Sequence, residues 1–253
     1  MDSQYIKNVE KGFKVEVLTD KNKILKGFVD DILTKDKYNL KGIRVRLKNG
    51  GIGRVQKIFL NDEQKNRKSL EDIEKLIKNG ENFFNEFKLN CSWSDNYSLE
   101  QIKQSKSYEV HNYGRKACKV IVAKSIAGFL NSFGGNLIIG VKEKREKAEE
   151  FELIGIEEEI KSNNGKDGYK RMILDDIIRA YFPPRIYNHL NDYLNLSFVE
   201  VSGKVLCWIN IRKSELKVFL KLNDKEVFVI RVECENRILE GEKLVDYCIK
   251  HFK

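Results

Sequence analysis

The sequence feature that most constrains the fold is the segment 126–143, Ile-Ala-Gly-Phe-Leu-Asn-Ser-Phe-Gly-Gly-Asn-Leu-Ile-Ile-Gly-Val-Lys-Glu. Its first half is apolar and helix-prone, the Gly-Gly pair predicts a tight turn, and Leu137–Val141 predicts a buried strand. Glu143 follows this strand, a position that suits a functional site. The segment therefore predicts a helix, a tight turn and a buried strand in succession, with a carboxylate at the strand's end.

A second segment, residues 81–88, reads Glu-Asn-Phe-Phe-Asn-Glu-Phe-Lys. If its end is a strand, Glu86 and Lys88 point to one face and Phe87 points into the core. Glu81 lies five positions before Glu86, so the two acids can share a site only if a turn brings Glu81 back. The alternative for Glu86 and Lys88 is a plain surface ion pair.

Three acids and a lysine near strand ends suit a divalent metal and a phosphodiester. Mg²⁺ and Mn²⁺ prefer oxygen ligands, and a lysine can neutralise charge that develops on a phosphate. Glu81, Glu86 and Glu143 are therefore candidate ligands of Mg²⁺ or Mn²⁺, with Lys88 as a candidate catalytic partner, if the fold brings the three acids together. No zinc or nucleotide cofactor is expected, because the chain has no Cys-x-x-Cys spacing and no Walker-type loop. The alternative for Glu143 is the start of a solvated charged loop, predicted over residues 142–152.

The first 60 residues carry most of the chain's basic excess. They contain 14 Lys and Arg against 7 Asp and Glu, in a chain with a net charge of +9. Alternating apolar residues predict short strands, and Asn49-Gly50 predicts a hairpin with two positive-φ residues. The strands predict a small all-β barrel with one basic wall for nucleic acid, or else merely a solvated lysine-rich surface. The predicted nucleic-acid contacts on this wall are Arg44, Arg46, Lys48 and Arg54.

Residues 90–115 are poor in aliphatic side chains and rich in Ser, Asn, Lys and Tyr. This composition predicts a long surface loop, and long loops in compact domains are often functional. Its aromatic side chains could stack on unpaired bases or could cap the edge of the core. The predicted nucleic-acid contacts in and beside this loop are Trp93, Tyr97, Tyr108, Tyr113, Arg115 and Lys116.

The remainder, residues 61–253, predicts one α+β domain with a mixed sheet. Helices are expected at 61–79, 116–133, 167–180 and 243–251, and strands at 136–141, 194–201, 205–211, 218–222 and 227–232. No apolar run is long enough to span a bilayer, no secretion signal is present, and the five cysteines are scattered. We therefore expect a cytoplasmic protein with reduced thiols and no membrane partner.

Two resemblances follow from these motifs. Glu-x-x-x-x-Glu-Phe-Lys, followed by Ala-Gly-Phe-Leu-Asn-Ser-Phe-Gly-Gly-Asn-Leu-Ile-Ile-Gly-Val, resembles the Schlafen-type AlbA_2 domain over residues 81–232. The N-terminal runs 27–34, 41–47 and 51–56 resemble the small uncharacterised YwbE-like family. The second resemblance supports a module boundary near residue 60 and implies no activity.

The Schlafen resemblance implies an activity. In the Schlafen ribonucleases it implies a site of three acids, which fall here on Glu81, Glu86 and Glu143, the last in a place usually held by Asp. It implies a metal-dependent endoribonuclease for structured RNA, with tRNA or rRNA favoured and DNA possible. The alternative, implied by other members, is a non-catalytic DNA- or RNA-binding regulator; a protein-interaction adaptor is a third reading. Since vertebrate Schlafen nucleases contain two such lobes, a homodimer is also expected.

Overall fold

The computed structural model describes residues 3–143 and 151–252, without the side chains of residues 62, 65, 66 and 68. The chain divides into two compact units, Met1–Lys68 and Ser69–Lys253. This division falls within helix α1, Asp62–Lys78, just after the boundary predicted near residue 60. Across the described residues, no helix is both long enough and apolar enough to cross a membrane.

The N-terminal unit is a closed antiparallel barrel, which confirms the predicted all-β module. Its strands are β1 (Lys14–Leu18), β2 (Ile24–Ile32), β3 (Arg44–Leu47) and β4 (Ile52–Phe59). Because neighbouring side chains on a strand point to opposite faces, Val45 and Leu47 fill the interior while Arg46 is exposed. The predicted hairpin joins β3 to β4, but only Gly50 of the two central residues has a positive φ, +81°.

The second unit contains the predicted mixed sheet. Its strands are β5 (Asn85–Lys88), β6 (Gly135–Ile139), β7 (Val141–Glu143), β8 (Phe151–Leu153), β9 (Leu194–Val201), β10 (Lys204–Ile211), β11 (Phe219–Leu222), β12 (Lys225–Val232) and β13 (Glu235–Leu239). The main sheet has the order β5-β6-β10-β9, in which β5 and β6 are parallel and the other pairs antiparallel. Strands β11-β12-β13 form a second sheet, and β7 pairs with β8.

The helices after α1 are α2 (Leu99–Gln104), α3 (Tyr108–Tyr113), α4 (Ala117–Asn131), α5 (Glu157–Ser162), α6 (Lys166–Met172), α7 (Pro184–Asn188), α8 (Leu190–Tyr193) and α9 (Gly241–His251). Helix α6 continues as a π-helix over Ile173–Arg179, and short 3₁₀ helices cover Ile6–Asn8 and Gly114–Lys116. Helix α4 is buried along almost its whole length because it contacts both larger sheets of this unit.

Two predicted loops are wrong in part. The segment 90–115 contains α2 and α3, each of which begins at a capping serine. Ser98 accepts a hydrogen bond from the Gln101 backbone, and the Gln101 side chain accepts one in return, so local capping replaces the missing apolar periodicity. Within the segment 142–152, the ends pair as β7 and β8; residues 144–150 lie outside the described part of the chain.

The core places the two faces of β5 in different surroundings. Phe87 packs with Ile138 of β6 and Ile73 of α1 on one face. On the other face, Leu137 and Ile139 belong to the main core beneath α4. Because Glu86 and Lys88 lie on the side of β5 opposite to Phe87, their side chains are directed toward α4.

Candidate functional site

The centre of the predicted site is Glu86, which is only 4% exposed. Its carboxylate accepts a hydrogen bond of 2.7 Å from the Ser125 hydroxyl of α4. The Asn236 amide of β13 donates to both oxygens, at 3.1 and 2.9 Å. Glu86 thus connects β5 to α4 and to the second sheet.

Two cations complete this arrangement. Arg231 of β12 donates through Nη1 to Glu86 Oε2 at 2.6 Å, and Lys88 Nζ lies 2.6 Å from Glu86 Oε1. The Arg231 side chain is fully buried, and its Nη2 donates to the carbonyls of Asn82 and Asn85 at 2.9 and 3.1 Å. We call the set Glu86, Lys88, Ser125, Arg231 and Asn236 the Glu86 network.

The electrostatics of the Glu86 network favour an ionised carboxylate. Burial alone would raise the pKa of Glu86, but the charges of Lys88 and Arg231, with hydrogen bonds from Lys88 and Asn236, hold that pKa below its ordinary value of 4.5. Two cations face one carboxylate, so the network carries a net positive charge. The predicted pairing of Glu86 with Lys88 on one face of a strand is present, but the pair is largely buried rather than on the surface.

Glu81 contacts the backbone of β5. Its Oε1 accepts a hydrogen bond of 2.7 Å from the Phe87 N–H. Strand β5 is at the edge of its sheet, so this carboxylate satisfies a donor that no neighbouring strand pairs. A turn at Asn82, whose Oδ1 accepts from the backbones of Phe84 and Asn85, brings Glu81 back.

Glu143 is exposed at the end of β7, where it pairs in register with Phe151. Within residues 3–143 and 151–252, no three His, Cys, Asp or Glu side chains are placed to hold one metal ion. Both oxygens of Glu86 already accept from protein donors, and Glu81 is bound to a backbone N–H. The donor set therefore does not fit Mg²⁺ or Mn²⁺ in this arrangement, and the three-acid metal centre stays a prediction.

The basic wall of the barrel is divided in two. Arg44 forms an ion pair of 2.6 Å with Asp20. Arg54 donates to the Asn39 side chain and the Gly42 carbonyl, both at 3.1 Å, which ties it to a neighbouring loop. Arg46 and Lys48, by contrast, are exposed.

The predicted aromatic contacts of the second unit fall into two groups. Trp93 and Tyr97 pack edge to face with ring centroids 5.5 Å apart, and Arg115 donates to the Tyr97 carbonyl at 2.8 Å. Tyr108 and Tyr113 instead share a cation, because Lys124 Nζ lies 5.6 Å from each ring centroid. Lys124 was not predicted from the sequence. A lysine within an apolar helix nevertheless indicates that its ammonium group needs a partner.

A second buried carboxylate, Glu159 of α5, also went unpredicted. It accepts from the Cys91 backbone N–H at 3.0 and 3.2 Å, from the Ser92 hydroxyl, and from the Tyr169 hydroxyl at 3.2 Å. Burial raises the pKa of Glu159 above its ordinary value, although these hydrogen bonds lower it in part. We call Glu159, Cys91, Ser92 and Tyr169 the Glu159 cluster.

Comparison with known proteins identifies both units. The family model "Uncharacterized conserved protein (DUF2196)" matches residues 2–58. The uncharacterized protein YwbE of Bacillus subtilis is 39% identical over 62 residues, which cover 23% of this chain and 95% of YwbE. Among solved structures, the DIP2311 protein of Corynebacterium diphtheriae is similar over 74% of this chain, with a TM-score of 0.42 and 14% identity; the chain spans 29% of that protein.

The larger match lies in the second unit. The family model "Schlafen, AlbA_2" covers residues 81–240, which include the whole Glu86 network and Glu143. Membership of this family implies nucleic-acid binding. The chain therefore belongs to the Schlafen AlbA_2 family and carries a YwbE-like module before that domain.

Proposed function

We propose that this chain is a nucleic-acid-binding protein in which the Glu86 network is a structural anchor rather than a metal centre. The observation that carries the proposal is that protein donors already surround the Glu86 carboxylate. Both oxygens accept hydrogen bonds, and two of their partners, Arg231 and Lys88, are cations. A carboxylate that already pairs with two cations has little affinity for a third.

The energetics of Arg231 support this reading. To bind a metal, Glu86 would have to leave the guanidinium of Arg231, whose side chain has no exposed surface. Removing one partner of a buried ion pair costs about 3–5 kcal/mol, because an uncompensated charge stays buried. A divalent ion would have to overcome this cost before it contributed any binding energy.

Lys88 is the member of the network that can meet a phosphate. Its side chain is 25% exposed at the end of β5, and its ammonium group is fixed by Glu86 and by the Phe87 carbonyl at 3.0 Å. Exposed Arg46 and Lys48 offer further phosphate contacts on the barrel. Such contacts supply most of the affinity of sequence-independent nucleic-acid binding.

An endoribonuclease is the second candidate. In its favour, Glu81, Glu86 and Glu143 occupy the three acid positions implied by the resemblance to Schlafen ribonucleases, within the region that the family model covers. This function requires Glu86 to exchange its present partners. Glu143 is the informative position, because its exposed side chain can be altered without disturbing the core.

One experiment separates the two candidates. The full chain is mixed with a fluorescent tRNA, and binding is followed by anisotropy over a salt series, with cleavage assayed in Mg²⁺ and in Mn²⁺. We expect affinity that falls linearly on a log–log plot of salt, and intact tRNA. Cleavage that disappears in Glu143→Gln but persists in Glu200→Gln, a matched change of an exposed acid on β9, would establish the nuclease. The homodimer stays a prediction, and light scattering on the same sample measures it.

A further inference from the structure

A cleft in the second unit combines two tyrosines with two lysines. It has a volume of about 320 Å³ and lies between the end of α3, the end of the π-helix and the turn from β11 to β12. Its aromatic lining is Tyr113 and Tyr181, and its cationic lining is Lys116 and Lys221. The volume is within the range of about 300–1,000 Å³ that is typical of ligand pockets. We call it the tyrosine cleft.

The two tyrosines are held in place by packing. Both are partly buried against the main core of the unit, and Val120 and Leu222 beneath them are almost fully buried. The Lys124 ammonium also lies over the Tyr113 ring, 5.6 Å from the ring centroid. Rings that are immobilised before binding lose little entropy when a flat ligand stacks on them.

The turn that closes the cleft is tied down as well. Asn223 and Asp224 are its two central residues, with φ of 47° and 61°. The Asn223 amide donates to the Asn112 carbonyl at the end of α3, at 3.0 Å. This bond joins the turn to α3, so the opening between them is fixed.

The chemistry of the lining selects the ligand. Stacking on tyrosine suits a nucleobase, because every base has a π-face. Lys116 and Lys221 are exposed on the lining, where they can meet the phosphates on either side of that base. Asp224, whose Oδ1 lies 3.5 Å from Lys221 Nζ, is an acceptor for the amino group of a base. A nucleotide within a strand uses all three features.

We propose that the tyrosine cleft binds one unpaired nucleotide of a single strand, with the base against Tyr113 and Tyr181 and the phosphates at Lys116 and Lys221. The proposal deepens the proposed function and rests on it. It assigns the cleft a role in holding splayed or single-stranded regions of a nucleic acid. The sequence already placed Tyr113 and Lys116 among the expected contacts; the fold adds Tyr181 and Lys221 from distant parts of the chain.

The test uses the full chain and a fluorescein-labelled single-stranded adenine RNA decamer, followed by anisotropy over a salt series. Removing two phosphate contacts from a single strand lowers the log–log salt slope by about 1.4. We therefore expect Lys116→Ala/Lys221→Ala to show this reduced slope and about tenfold weaker binding at low salt. The matched control, Lys161→Ala/Lys204→Ala, removes two exposed lysines elsewhere and should leave slope and affinity unchanged.

A second pair of variants tests the stacking. Loss of one stacked base weakens binding by about 1–3 kcal/mol, that is, roughly 5- to 150-fold. Tyr181→Leu should show a loss in this range with an unchanged salt slope, whereas Tyr181→Phe should keep wild-type affinity. Circular dichroism melting verifies that each variant is folded. If Tyr181→Leu does not fold, the variants of the exposed lysines still test the proposal.

The outcomes are distinct. If the wild type binds the decamer and all cleft variants bind it equally well, the assignment of nucleotide binding to the tyrosine cleft is wrong. The proposal that the chain binds nucleic acid would still stand. If the wild type binds neither the decamer nor tRNA at low salt, the proposed function is wrong, and so is the role assigned to the tyrosine cleft. If free AMP binds the wild type as tightly as the decamer does, the cleft serves free nucleotides and the assignment to a strand is overturned.

Discussion

Glu86 and Glu159, the buried carboxylates among the described residues of the second unit, have opposite electrostatic surroundings. Glu86 is 4% exposed and faces two cations, which hold its pKa below the ordinary value. Glu159 is 7% exposed, and its direct partners are a backbone N–H and two neutral hydroxyls, so burial raises its pKa. The contrast shows that burial alone does not set the direction in which the pKa of a carboxylate shifts. The charge of its hydrogen-bond partners sets it.

The difference also bears on function. A metal ligand needs a carboxylate with unused acceptor capacity on at least one oxygen. Glu86, the residue that the sequence motif highlights, has both oxygens engaged by donors. We infer that the motif position has been used here to bind β5, α4 and the second sheet together, and to fix Lys88.

The largest effect should come from removing the cation of the Glu86 network. Arg231→Met keeps an unbranched aliphatic side chain but leaves Glu86 with one cation fewer and removes one donor from each of the Asn82 and Asn85 carbonyls. We expect the free energy of unfolding to fall by about 3–5 kcal/mol. The matched control is Arg237→Met on β13, whose ion pair with Glu235 is exposed and should contribute no more than about 1 kcal/mol. Equal losses in urea denaturation would contradict the assigned role of Arg231.

The Glu159 cluster should show a smaller loss. Glu159→Gln keeps the shape but turns one acceptor oxygen into a donor amide, which faces the Cys91 N–H in either orientation. A buried donor without a partner costs about 1–3 kcal/mol. Glu158→Gln, one residue away and exposed, is the control and should be close to neutral in urea denaturation. A Glu159→Gln variant as stable as this control would show that the cluster contributes nothing.

The smallest and most discriminating effect is on pH dependence. The pKa of Glu86 is lowered by folding, so its contribution is present above pH 4.5 and is lost as pH falls through that value toward its folded pKa. The pKa of Glu159 is raised by folding, so its ionisation destabilises the fold as pH rises through its ordinary value.

The two glutamine variants should therefore diverge with pH. Between pH about 4 and about 7, the cost of Glu86→Gln should grow and the cost of Glu159→Gln should shrink. Urea denaturation at the two pH values measures both. Costs that change with pH in the same direction would break the comparison between the two carboxylates.

Much of the fold was predictable because its signals are local. Alternation at Val45 and Leu47 gave the barrel, and continuous apolar runs gave β6 and β9 to β12 with small errors at their ends. Strand β13 was missed because its exposed residues alternate poorly, with a burial pattern that leaves it largely open to solvent. Helices α2 and α3 were missed because capping serines, rather than apolar periodicity, define them.

The site was less predictable because its partners are distant. Arg231 lies 145 residues after Glu86, and no local pattern connects the two. A signal was nevertheless present: Arg231 follows Val-Phe-Val-Ile in an apolar strand, and an arginine that is buried must be paired. The same reasoning applies to Lys124 in α4.

The most direct test of the central claim, that the Glu86 network is an ion network and not a metal centre, is a Mn²⁺ titration. Electron paramagnetic resonance counts free Mn²⁺ in the presence of wild type, Glu143→Gln and Glu200→Gln. We predict the same weak, non-stoichiometric binding for all three proteins. One tightly bound Mn²⁺ per wild-type chain, kept in Glu200→Gln and lost in Glu143→Gln, would contradict the claim and place a metal at the three acids.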